Sequence, residues 1–253
     1  MIQRPPETFS EEPFAIPTPD GKKIYGILNK SKSPNGKTIL ISHGLTGHSG
    51  EYLHVTARNL FTQCGYDVVR FNYYDAPPDA RKLEECTIQT HADDLNLVGA
   101  HVRKTSTNLY VVGHSYGGLT LIHANPEVKA LAFWDSSFFP YKVFWKDEAP
   151  QLGGTTFYHI CGWGCHNLIN PAMIDFDRNM EESGIIALAK KIQTPSLVAL
   201  AEKSQENPVR TIIYDTLTCP KKLVDIAGAN HIFSNGHTAY DLLQETIDWF
   251  DAH

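Results

Sequence analysis

Gly113-His114-Ser115-Tyr116-Gly117-Gly118 constrains this chain more than any other stretch, because it sets a serine between glycines where two opposite local preferences meet. The run before it, Asn108-Leu109-Tyr110-Val111-Val112, is apolar and β-branched, the composition of a buried strand. The run after it, Gly118 to Ala124, suits the start of a helix. A strand that turns directly into a helix needs a sharp corner. The residue at that corner is forced into strained backbone geometry, and its side chain is lifted clear of the sheet. Glycines at 113 and 117 leave room where a Cβ would strike the neighbouring strand or helix. Ser115 is therefore the expected nucleophile.

Upstream, Lys37 to Ser42 reads as a short core strand running into His43-Gly44-Leu45-Thr46-Gly47-His48-Ser49-Gly50-Glu51-Tyr52. With the G-x-S-x-G turn, this H-G-x-x-x-H-S-G-x-Y wording resembles the α/β-hydrolase superfamily. Within it the wording is similar to the branch of monoacylglycerol lipases, lysophospholipases and small esterases, feruloyl-type esterases included. The resemblance implies an oxyanion hole made by the backbone N–H groups of Leu45 and of Tyr116, the residue after the nucleophile. His43 and His48 are expected to be turn residues with structural hydrogen bonds.

The superfamily places its histidine after the last strand, and His231, in Val224-Asp-Ile-Ala-Gly-Ala-Asn-His231, holds that place. Among the 12 histidines His237 is the only nearby rival, and it begins the final helix. The acid departs from the usual pattern. Relatives carry G-x-x-D after the strand Pro195 to Ala201, and here the aspartate position falls on Ser204. A serine cannot hold an imidazole in one tautomer or balance an imidazolium. Glu202 and Glu206 flank that position, and Asp135 ends the earlier strand Val128 to Trp134. Certain haloalkane dehalogenases and lipases take their acid from that earlier strand, and V-K-A-L-A-F-W-D resembles the dehalogenase wording. Asp135 is the preferred acid, with Glu206 and Glu202 as alternatives. The aspartate-nucleophile chemistry of dehalogenases is excluded by Ser115.

Composition sets limits. A chain of 253 residues, 42% hydrophobic and 20% charged, is expected to form one α/β domain over 1–253. Its net charge of −6 argues against nucleic-acid binding, and no basic run suggests an anionic lipid surface. No stretch approaches the roughly twenty apolar residues of a membrane span, and the first residues lack a signal-peptide core. A cytoplasmic protein without integral membrane association is expected. Five cysteines without a paired framework fit a reducing compartment. Cys161-x3-Cys165-His166, with His159, has too little metal-site pattern to carry a zinc assignment. Cys64, Cys86 and Cys219 are expected to be packing residues. No metal and no organic cofactor is expected, and a homodimer is compatible with the sequence.

Segments alternating between strand and helix periodicity predict a mostly parallel, eight-stranded sheet flanked by helices. It opens with an antiparallel hairpin turning at Asp20-Gly21. Helices are expected over Glu51 to Cys64, from Ile88 to Val102 and from Ala239 to Phe250. A short cap over about 137–190 follows the sixth strand, rich in aromatics such as Phe138, Phe139, Trp145 and Trp163. The expected function is a serine hydrolase cleaving carboxylic esters or thioesters through an acyl-enzyme, with an apolar or aromatic acyl or alcohol group on the substrate. An amide or peptide hydrolase is the alternative, and a non-catalytic ligand-binding member of the superfamily is the remaining one.

Overall fold

The computed structural model describes residues 8–139, 158–162, 165–204 and 211–253, with the side chains of 158–162, 165 and 166 left out. Apolar residues at every second position and at helical spacing divide this chain into strands and helices that cover one another. The strands of the main sheet are β1 (Phe9–Pro17), β2 (Lys23–Ser31), β3 (Lys37–Ser42), β4 (Asp67–Asn72), β5 (Asn108–His114), β6 (Leu131–Trp134), β9 (Ser196–Ala201) and β10 (Lys221–Ile226). Between β6 and β9 lie β7 (Tyr158–Gly162) and β8 (Cys165–Ile169). The eight main strands are ordered β1-β2-β4-β3-β5-β6-β9-β10. The β1–β2 and β2–β4 pairings are antiparallel, and all pairings from β4 to β10 are parallel.

The expected opening hairpin is present and longer than its apolar stretch suggested, pairing Phe9 with Ser31 and Pro17 with Lys23. Gly21 at its turn has φ 81°. The parallel core strands alternate sides with period two, as a sheet covered on both faces requires. Leu40, Leu109, Val111, Leu131 and Phe133 face one core, while Ile39, Ile41, Tyr110, Val112, Ala132 and Trp134 face the other.

The first core is closed by α2 (Ile88–Val102), α3 (Tyr116–Ala124), α4 (Pro171–Asn179) and α5 (Glu182–Ala189). The second is closed by α1 (Tyr52–Gln63) and the C-terminal α7 (Thr238–Asp251). A short α6 (Ile212–Thr216) precedes β10. Thr87 caps α2, its hydroxyl accepting from the N–H of Thr90 at 3.2 Å. None of the helices described is long and apolar enough to cross a membrane.

Three details differ from the sequence expectations. Phe138 and Phe139, assigned to the cap by sequence, are fully buried and belong to the main core beneath α3. Cys64 is exposed at the end of α1 rather than packed, while Cys86 and Cys219 are buried. The hairpin β7–β8 was not anticipated, because two glycine-flanked runs of five residues carry too little periodicity. Its backbone sets Cys161 opposite His166. Tyr141, Phe144, Trp145, Phe157 and Trp163 lie outside the described residues or side chains.

Glycine is required where α3 meets the sheet. A Cβ at Gly113 would sit 2.7 Å from the carbonyl oxygen of Gly117, and one at Gly117 would fall onto the carbonyl oxygens of Ser42 and His43. These are backbone atoms of two neighbouring elements, so nothing nearby can yield cheaply. Gly117→Ala is expected to cost about 1–3 kcal/mol or more. A thermal melt would register this as a drop of roughly 5 °C or more; an unchanged melting temperature would show that α3 shifts freely.

Candidate active site

The parallel strands deliver their C-terminal ends to one edge of the sheet. There the chain order reverses between β3 and β5, the place where open α/β sheets form a crevice. Ser115 stands at the end of β5 with φ 55° and ψ −124°, a left-handed conformation that costs a non-glycine residue on the order of 1–3 kcal/mol. Its N–H donates to the carbonyl of Trp134 at 3.0 Å, and its own carbonyl accepts from the N–H groups of Gly118 and Ser137, both at 3.0 Å. Asp135, at the end of adjacent β6, also has positive φ, 37°. Its N–H donates to the carbonyl of Ala199 at 2.7 Å, which ties the corner to β9.

His231 follows β10 and reaches back across this edge. Its Nε2 lies 2.9 Å from Ser115 Oγ, and its Nδ1 lies 2.7 Å from Asp135 Oδ2. Asp135 Oδ1 accepts the N–H of Ala201 at 3.0 Å. Burial works against charge on Asp135. The hydrogen bond from His231, assisted by its positive form and by bonds from the Ser204 hydroxyl and the Ala201 N–H, outweighs that and holds the carboxyl below its ordinary value.

The Glu202 carboxylate accepts the N–H of Gly228 at 2.6 Å, and Glu206 lies outside the described residues. His237 is the cap residue of α7. Ser204, at the position where an aspartate was expected, touches Asp135 itself.

The turn after β3 runs alongside Ser115, with Gly44 so close that a Cβ there would stand 3.0 Å from Ser115 Cβ. Leu45 lines the same cleft as Ser115 and His231, and Tyr116 is the first residue of α3. N–H groups of a helix's first turn have no partner inside the helix, so this end of α3 offers donors and a positive dipole end. His43 is a structural residue: its Nε2 accepts from the N–H of Tyr73 at 3.2 Å, and its Nδ1 bonds the carbonyl of Gly44 at 2.8 Å. His48 Nδ1 accepts from the N–H of Gly50 at 3.1 Å.

The cleft has a volume of about 340 Å³ and is lined on its apolar side by Leu45, Tyr52, Leu53 and Ile232. Asn167 of β8 closes it from the segment after β6. Sequence reasoning passed over three neighbours of the site. Ser137 Oγ lies 3.4 Å from Ser115 Oγ. His114, buried, bonds the carbonyl of His231 through Nε2 at 2.9 Å. Glu51 puts a carboxyl into the cleft, and burial pushes it up to about 7. Nothing in a single sequence marks these three, since their proximity arises only when the ends of α1, β5 and β6 converge.

No curated protein matches the chain's sequence. Residues 33–134, which carry both the turn after β3 and the Ser115 corner, match the family described as Serine aminopeptidase, S33. Among solved structures, Est1E from Butyrivibrio proteoclasticus with bound ferulic acid is 20% identical with a TM-score of 0.74, over 94% of this chain and 99% of that one. The esterase domain of a Rhodothermus marinus protein is 18% identical with a TM-score of 0.73, over 95% and 97%. The monoacylglycerol lipase of Paleococcus ferrophilus is 16% identical with a TM-score of 0.71, over 91% and 99%. The sheet order, the flanking helices and these likenesses together make the chain an α/β-hydrolase by fold.

Proposed function

We propose that the protein is a serine hydrolase acting on carboxylic esters, with thioesters as a related substrate class. The observation that carries this reading is the unbroken hydrogen-bonded line from Ser115 through His231 to Asp135 at the mouth of a cleft. His231 Nε2 takes the Ser115 proton as Oγ attacks the carbonyl carbon. The oxyanion that forms is held by the N–H groups of Leu45 and Tyr116. Asp135 keeps the Nδ1 proton in place and balances the imidazolium. His231 then protonates the leaving alcohol, and water repeats the sequence to free the acid.

A cleft of about 340 Å³ with an apolar wall suits a modest acyl or aromatic acid rather than a long chain. The ferulic acid bound to Est1E supports the same size class. The segment after β6, about 137–190, serves in this reading as the cap, with Asn167 its contribution to the cleft wall.

A fluorophosphonate should label the wild type and not Ser115→Ala. The wild type alone should also turn over a p-nitrophenyl ester series, with the optimum at short or aromatic acyl groups. The match to the aminopeptidase family favours amide hydrolysis as the second reading. Labelling of Ser115 with turnover of aminoacyl anilides and of no ester would establish that reading instead. Absence of Ser115 labelling would leave only the binding-protein alternative.

A further inference from the structure

We propose that Glu51, His54 and His114 form a binding site for a divalent transition metal, Zn²⁺ above all, in the floor of the cleft. Glu51 occupies the N-cap position of α1 without a side-chain capping bond, and His54 lies three residues on, so the two share one helix face. His114 ends β5. One ligand atom from each of the three lies within 4.8 Å of the others.

The two imidazoles are arranged as metal ligands are. His54 Nδ1 lies 3.1 Å from the carbonyl oxygen of His48, and His114 Nε2 lies 2.9 Å from that of His231. A carbonyl only accepts, so each of those nitrogens carries the proton and the other nitrogen presents a lone pair. Those other nitrogens, His54 Nε2 and His114 Nδ1, are buried and have no hydrogen-bond partner among the described residues. Leaving one such acceptor unpaired in the interior is costly, and here two belong to rings 5.9 Å apart. Metal-binding histidines characteristically give their second N–H to a backbone carbonyl, which fixes tautomer and ring orientation.

The third donor supplies charge and access. Glu51 and His114 both line the cleft, so an ion reaches the site from the substrate side. Two imidazoles and a carboxylate form a donor set suited to zinc, with one coordination position left toward the cleft. The two nitrogen donors disfavour calcium and magnesium, which take oxygen ligands. Glu51 Oε2 lies 3.4 Å from His54 Nδ1, so zinc distances of about 2.0–2.2 Å require the carboxylate to swing toward Nε2 and all three donors to draw together. The Glu51 side chain, 36% exposed, is the one free to move.

Metal-stripped protein titrated with Zn²⁺ against a chromogenic chelator should take up one ion per chain. Glu51→Gln should weaken that uptake by at least about 100-fold, and His54→Phe should abolish it. If His54→Phe fails to fold, Glu51→Gln decides. Co²⁺ should give a visible spectrum without a thiolate charge-transfer band, unchanged in Cys161→Ser/Cys165→Ser. Three outcomes overturn the proposal: no stoichiometric uptake, in which case the lone pairs are met by water; uptake indifferent to both cleft variants; or a thiolate band that vanishes with the cysteines. The readout is metal uptake, so it stands apart from whether the protein hydrolyses esters.

Discussion

Asp135→Asn is expected to lower kcat on a p-nitrophenyl ester by about 10⁴-fold, with KM little changed. The carboxylate accepts on both oxygens, from His231 at 2.7 Å and from the Ala201 N–H at 3.0 Å. An asparagine can satisfy only one of these. With its amide NH₂ toward His231, it drives the imidazole into the tautomer whose Nε2 carries the proton, and that ring cannot accept from Ser115. With its oxygen toward His231, the NH₂ confronts the Ala201 N–H, two donors face to face in a buried site. The second orientation keeps the tautomer but carries that clash, so the first prevails and the base is lost while the cleft walls remain.

Glu202→Gln is expected to leave kcat within a few-fold, because that carboxylate serves the Gly228 N–H. Glu206→Gln is expected to do the same. Parallel thermal melts separate a catalytic loss from unfolding. A damaging Glu206→Gln beside an active Asp135→Asn would move the acid to the later loop.

Acidification of the metal-free protein is expected to lower the melting temperature by roughly 10 °C or more between pH 7.5 and 4.5. His43 is fully enclosed, and burial depresses it from 6.5 to about 4. Burial also holds His91, stacked on Tyr73 at 4.2 Å, well below its ordinary value. His54 is likewise held well below 6.5, and His114 and His123 are lowered to about 4, in each case chiefly by burial. These imidazoles are neutral in the folded chain and take up protons once it unfolds. Their contribution is therefore complete above pH 6.5 and is lost as pH falls toward 4, since stability rises with pH wherever the unfolded state binds more protons.

Glu51 and Asp94, both pushed up to about 7 by burial, act in the opposite sense and offset part of this. A net excess of two to three protons across two pH units amounts to on the order of 5 kcal/mol. That is a large share of an ordinary domain's stability. His91→Phe, which keeps the stacking and removes two unpartnered nitrogens, should flatten the pH dependence. A melting temperature equal at pH 7.5 and 4.5 would refute the account.

The sheet was legible because its strands are buried on both faces or paired as a hairpin, so that Val111 and Val112, or Leu131 and Ala132, announce themselves by composition. The corner at Ser115 was legible because steric demand there leaves only glycine at 113 and 117. His231 followed from its place after the last strand. Asp135 was harder: its case rested on what Ser204 is not, and the choice over Glu202 becomes geometric only when β6 and β9 lie side by side. Hydrogen bonding now joins Asp135 to His231, while the roles of all three residues rest on the proposed reaction.

Other features left no trace. Phe138 and Phe139 fall in the expected cap segment, yet the chain turns inward after Asp135 and carries them into the main core under α3. Cys64 looks apolar, yet it ends a helix at the surface. Glu51, His54 and His114 are separated by up to 63 positions in sequence and meet only through the packing of α1 against the end of β5.

The contact between Ser204 and Asp135 has a bearing on ancestry. Two positions 69 apart in the chain meet at one carboxyl, so under the proposed reaction the acid can change address between them. A lineage that gains an aspartate at 204 before losing the one at 135 passes through a form with two carboxyls side by side. Such a pair shares a proton rather than carrying two charges. If the proposed reaction holds, one carboxylate remains for the histidine throughout, and neither step of the exchange has to pass through an inactive form.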